Sequence, residues 1–130
     1  MSNKSKIEVD GVAAPAGHYS HGIVATGRTL YVAGQVALDE GGNLVGPGDI
    51  EAQTRQVLTN LERVVASAGG QLADVVKTAV YLTSLENRAP VGALRKEFFP
   101  DPPPVNTLIV VSSLADPEFL VEIDAIVALS

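Results

Sequence analysis

At 130 residues and 46% hydrophobic content, the chain holds apolar material for one core and is short for two, so a single domain spanning 1–130 is expected. The formal net charge is −6 and the nine basic residues are scattered, with only Arg95-Lys96 adjacent, which argues against a surface tracking nucleic-acid phosphates. No cysteine is present, which excludes disulfides, thiolate metal sites and a cysteine nucleophile.

The polar start, MSNKSKIEVDG, has no apolar signal core, and no run approaches the roughly 18 apolar residues of a membrane span. A cytoplasmic protein without a membrane partner is expected. The first clear element is TLYVAGQVAL, Thr29–Leu38, in which Leu30, Val32, Gly34, Val36 and Leu38 alternate with Tyr31, Ala33, Gln35 and Ala37. Upstream, Tyr19–Thr26 reads as its partner strand, turned back through Gly27-Arg28. DEGGN, Asp39–Asn43, is a turn.

From Asp49 to Ala68 the period becomes helical. Ile50, Val57, Leu58, Leu61, Val64, Val65 and Ala68 make one apolar stripe, with Asp49 as cap and Gly69-Gly70 as stop. Ala73–Ser84 follows as a strand. A second helix is expected from about Arg88 to Phe99, with Asn87 as cap and Pro90 in the first turn, where its missing N–H costs little. The run FPDPPP then excludes further helix, and Asn106–Ser113 and Phe119–Ala128 finish the chain as strands.

The order βββ-α-β-α-ββ predicts an α+β fold, with two helices over one face of a mixed sheet of about six strands. The other face, which includes Tyr31 and Ala33, must then stay wet or be covered by another subunit, and its small apolar residues favour a homo-oligomer.

Candidate chemistry is sparse. No phosphate loop, dinucleotide fingerprint, zinc-protease helix or nucleophile elbow occurs. His18 and His21, in GHYSHG, lack an evident third ligand and read as surface or hydrogen-bonded histidines, so no metal is expected. In VEIDAIV, Glu122 and Asp124 share one strand face, roughly 7 Å apart. They are either an ordinary wet face or the polar end of a site.

Several segments follow one another in a familiar order: GHYSHG (17–22), LYVAGQVALD (30–39), EAQTRQVLTNLERVVASAGG (51–70), DVVKTAVYLTSLEN (74–87), FFP (98–100) and VEIDAIV (121–127). Over nearly its whole length the chain resembles the Rid family, the reactive intermediate deaminases also called YjgF or L-PSP-type proteins. The resemblance implies a chorismate-mutase-like α+β fold, packed as a homotrimer with a cleft at each subunit interface. It also implies hydrolysis of amino-acid-derived imines and enamines to a 2-oxo acid and ammonia, with no cofactor.

Residue by residue, the resemblance maps the family's cleft tyrosine onto Tyr19 and the backbone around its strand glycine onto Ala33 and Gly34, followed by Gln35. The acid that orients the attacking water maps onto Glu122, while Asp124 is its structural neighbour. The position of the substrate-gripping arginine maps onto Asn106, in PPPVNTLIVV, so that arginine is missing. His18 stands where proline is common, and Gly92 where an asparagine often lies. Arg88 and Arg95 fall on the second helix, and nothing in the sequence brings either into register with position 106.

An arginine grips a carboxylate through two parallel charged bonds, whereas asparagine offers one neutral amide. Two readings follow. One is a C=N hydrolase whose small-molecule substrate lacks the usual carboxylate. The other is a non-catalytic trimer that binds a metabolite. The endoribonuclease activity linked to some relatives ranks behind both, because the acidic balance opposes it.

Overall fold

Strands β1 (Lys4–Lys6), β2 (Ile23–Ala25) and β3 (Arg28–Gln35) precede helix α1 (Ile50–Ser67). Strand β4 (Val75–Leu82), helix α2 (Arg88–Phe98) and strands β5 (Val105–Val110) and β6 (Val121–Leu129) follow, in the expected order. These elements come from a computed structural model that describes residues 3–130. Met1 and Ser2, where the expected domain begins, lie outside the described residues.

The six strands do not form one sheet. Four make a mixed sheet in the order β3-β6-β4-β5, parallel only between β4 and β5, and β1 pairs with β2 in a separate ribbon. The expectation of a single sheet of about six strands is corrected accordingly. Within the stretch read as the partner strand of β3, Ser20 gives its hydroxyl and N–H to the Pro103 and Pro104 carbonyls after α2, and Ile23–Ala25 pairs with β1. Gly27, at φ +99, then turns the chain where a side chain would strike the Leu129 carbonyl.

Alternation along β6 divides the sheet. Val121, Ile123, Ala125 and Val127 are buried in the core, while Glu122, Asp124 and Ile126 are half-buried on the opposite face. Register carries the division outward. Thr78, Val80 and Leu82 pair with Ala125, Ile123 and Val121 on the helix side, and Tyr81 pairs with Glu122 on the other. In β5, Asn106 and Leu108 pair with Thr78 and Val80, so both face the helices. The helix-free face presents Tyr31, which is 76% exposed, together with Ala33 and Ile109.

Helix α1 follows the predicted stripe. Val57, Leu58, Leu61 and Val65 are fully buried, and Ile50, Val64 and Ala68 pack at their edge. Asp49 caps the helix by accepting from the Ala52 N–H at 3.1 Å, and Gly69, at φ +85, ends it. Asn87 holds the cap position of α2 but makes no side-chain capping bond.

The polar stripe of α1 hides a buried anchor. The Gln53 amide donates to the Gly46 and Glu118 carbonyls at 3.1 and 3.0 Å and accepts from the Leu120 N–H at 2.9 Å. It thereby fixes the chain just before Glu122. Gln53→Leu keeps the volume and orphans three backbone groups, so it should destabilise the fold by about 3 kcal/mol. A urea titration checks this: the midpoint falls while the slope is unchanged.

Candidate functional site

The segment from Phe99 to Pro104 is rich in proline, and proline offers carbonyl oxygens but no N–H. Those oxygens must find donors elsewhere, and the GHYSHG loop supplies them. His18 Nε2–H donates to the Phe99 carbonyl at 2.8 Å, the Ser20 hydroxyl to Pro103 at 2.6 Å, and the Ser20 N–H to Pro104 at 3.2 Å. Lys4 Nζ reaches Pro102 at 3.1 Å from the other side. Tyr19, between the two anchored residues, is thus held at the mouth of a cavity of about 390 Å³.

That cavity lies between the loop, α2 and β5, and its lining includes Tyr19, Arg88, Gly92, Arg95, Asn106 and Leu108. The sequence left Arg95 on the helix without a role. The structure buries it to 4% exposure, with Nη1 donating to the His18 carbonyl at 3.2 Å and Nη2 to Thr78 Oγ1 at 3.0 Å. Its guanidinium carbon lies 5.5 Å from the centre of the Phe99 ring, within range of a cation–π contact. Burial pulls its pKa down to about 10, so it remains a cation at neutral pH. Thr78 Oγ1 donates in turn to Asn106 Oδ1 at 2.7 Å. A side chain from α2 therefore reaches Asn106 through one hydroxyl.

Glu122 is elsewhere. It lies on the helix-free face beside β3, where an extra residue between the Val32–Ala125 and Gln35–Ile123 pairs makes a bulge at Ala33-Gly34. A β-carbon on Gly34 would overlap the Glu122 carboxylate, so the glycine is what admits that side chain. The Gln35 amide donates back to the Ala33 carbonyl at 3.0 Å and holds the bulge. The Tyr81 hydroxyl donates to Asp124 at 3.2 Å, and this bond pushes the phenol above its ordinary range. Asp124 thus has a local partner of its own.

The five residues singled out from the sequence fall into two groups. Tyr19 and Asn106 meet in one cavity, and Ala33, Gly34 and Glu122 meet on the reverse side of the sheet. Within one protomer they do not form one site. His18 and His21 both bond backbone carbonyls, of Phe99 and Ala13 respectively. Among the described residues no group of three or more His, Cys, Asp or Glu side chains is arranged to hold a metal ion. Among the described residues no helix is long and apolar enough to cross a membrane.

Comparison with known proteins gives a consistent result. Residues 7–129 match the family described as endoribonuclease L-PSP. A RutC family protein of Pyrococcus horikoshii is 37% identical over 123 residues, covering 95% of this chain and 96% of its own. A Yersinia pestis protein of the conserved Rid family, described as of unknown function, superposes with a TM-score of 0.90 at 39% identity, covering 98% of this chain and 99% of its own. RidA from an Antarctic Psychrobacter superposes with a TM-score of 0.75 at 32% identity, covering 96% and 99%. The chain is a member of the endoribonuclease L-PSP family, the Rid or YjgF family.

Proposed function

We infer that the protein is a cytoplasmic hydrolase of small imines or enamines, acting at clefts between the subunits of a homotrimer. The observation that carries this reading is the division of the candidate residues between opposite sheet faces. A second copy docked on the helix-free face could set the Glu122 side of one protomer against the Tyr19–Asn106 cavity of the next. The exposed Tyr31 and Ile109 on that face are the apolar surface such docking would bury.

In that cleft, the Glu122 carboxylate orients a water and accepts its proton as oxygen attacks the C=N carbon. The resulting carbinolamine receives a proton on nitrogen and expels ammonia, leaving a C=O group. Atoms and charges balance without a cofactor. Asn106 holds a polar group of the substrate with a neutral amide and thereby shifts substrate preference within the family.

Freshly generated 2-iminopropanoate mixed with the protein should release ammonia faster than in buffer alone. Glu122→Gln should lower the rate about 100-fold or more, because a positioned base contributes about that much. Gly34→Ala should produce a comparable loss, since its methyl occupies the space of the carboxylate. Ammonia release no faster than buffer, with ligand binding retained, would instead identify a metabolite-binding trimer.

The assembly is tested separately. Tyr31→Asp places a charge on the helix-free face and should convert a trimer to monomers. Light scattering reads the mass directly, and activity should fall with it.

A further inference from the structure

Strand β3 pairs with β6 as far as Gln35, and the Glu122 carboxylate fills the space that a side chain on Gly34 would take. Beyond Gln35 the chain leaves the ladder, and the carbonyls of Val36, Ala37 and Leu38 need other donors. The Val45 N–H bonds the Ala37 carbonyl at 2.8 Å, and the Leu38 N–H bonds that of Val36 at 2.8 Å to close a tight turn. One side chain ties this turn to α1. The Asn60 amide donates to the Val36 carbonyl at 3.1 Å and to the Leu38 carbonyl at 2.8 Å.

Asn60 is itself held. The Gln56 amide, one helical turn earlier, donates to Asn60 Oδ1 at 2.8 Å, so the Asn60 nitrogen is left to face the two carbonyls. Ala37, between those carbonyls, is fully buried, so the turn cannot lift without opening the core. Asn60, Gly34, Gln35 and Val36 line one concavity of about 550 Å³, which puts the amide close to the bulge.

Gln53 and Asn60 stand two turns apart on α1 and so share a face. Gln53 bonds Glu118 and Leu120, on the approach to Glu122 in β6. Asn60 bonds the exit from β3, just past Gly34. One helix thus holds both backbone segments that flank the carboxylate.

We propose that Asn60 is a positioning residue for Glu122. By fixing the turn at Val36–Leu38 it sets the Ala33-Gly34 bulge against which the carboxylate rests, and Gln56 orients its amide. Without these bonds the bulge loses its anchor on the far side from the ladder. The kinetic consequence rests on the imine-hydrolase reading, while the geometric one does not.

The test uses Asn60→Leu, which keeps the volume similar and removes both donors. In NMR spectra the Gly34 and Gln35 amide signals and the Glu122 side-chain carboxyl carbon should move from their wild-type positions. Thr54→Val is the comparison. Thr54 is buried in the same helix and its hydroxyl bonds the Ile50 carbonyl at 2.7 Å, so this change weakens α1 from within. It should leave the three signals in place. Equal displacement in both variants, or none in folded Asn60→Leu, overturns the proposal. If Asn60→Leu fails to fold, Gln56→Leu frees the Asn60 amide to rotate and should move the same signals by less. Unmoved signals there overturn it as well.

With freshly generated 2-iminopropanoate, Asn60→Leu should lower kcat about tenfold and leave KM within about twofold, because misplacing a positioned group costs rate. Thr54→Val should match the wild type. A raised KM with kcat unchanged contradicts a positioning role. Wild-type protein that releases ammonia no faster than buffer removes the hydrolase, and the spectra still decide the role of Asn60. Rapid release with unmoved signals in Asn60→Leu removes that role and leaves the hydrolase standing.

Discussion

Strand β6 is the constraint on which the arrangement depends. It is hydrogen-bonded along both edges, to β3 and β4, so its register is fixed twice and a slip would turn every apolar side chain out of the core. Its odd residues complete the hydrophobic core under both helices. Its even residues are thereby committed to the other face, Glu122 among them. The acid lies half-buried on the far face because Val121 and Ile123 are buried on the near one. Core packing and site placement are consequences of the same alternation.

The second set of residues is positioned by a different rule. The proline-rich segment after α2 leaves carbonyls that cannot be satisfied within the segment, and the loop carrying Tyr19 supplies donors to three, those of Phe99, Pro103 and Pro104. Arg95 closes the cage from α2 by donating to the His18 carbonyl on the loop and to Thr78 on β4. Loop, helix and β5 therefore converge on one cavity, although the loop itself has little regular structure. The rigidity comes from obligatory backbone acceptors, which is how irregular segments can hold a side chain in place.

Much of this was legible in the sequence. Alternation in Thr29–Leu38 and Phe119–Ala128, and the stripe of α1, are period signals, and the structure returns them within a few residues. Tyr19–Thr26 read as strand, and Ile23–Ala25 is one, but it pairs with Lys4–Lys6 while Ser20 bonds the Pro103 and Pro104 carbonyls some 80 residues away, and no local pattern records either partner. Gln53 lies off the apolar stripe of α1, and only tertiary packing shows that it is buried and threefold bonded. Arg95 was hidden for a similar reason. It stands in an Arg-Lys pair at the end of a helix, where a solvated charge is the usual case, and its neighbour Lys96 is exposed.

The two faces impose an asymmetry on charge. On the helix-free face Glu122 and Asp124 lie side by side, and one is bonded by Tyr81 while the other is admitted by a glycine. On the helix side the cavity has two guanidinium groups and no acid. The helix-free face also carries Lys77, on the same alternation as Ala79 and Tyr81. In the proposed trimer, apposition of one protomer's Glu122 face with the next protomer's cavity would bring the acid and the guanidinium groups to one space. On the proposed reading, a C=N bond placed in that space would meet a carboxylate-held water at carbon. Oriented charge of this kind costs no reorganisation when the reaction occurs. In the proposed trimer, the sheet's two-sidedness would supply, from one short sequence, both halves of such an arrangement.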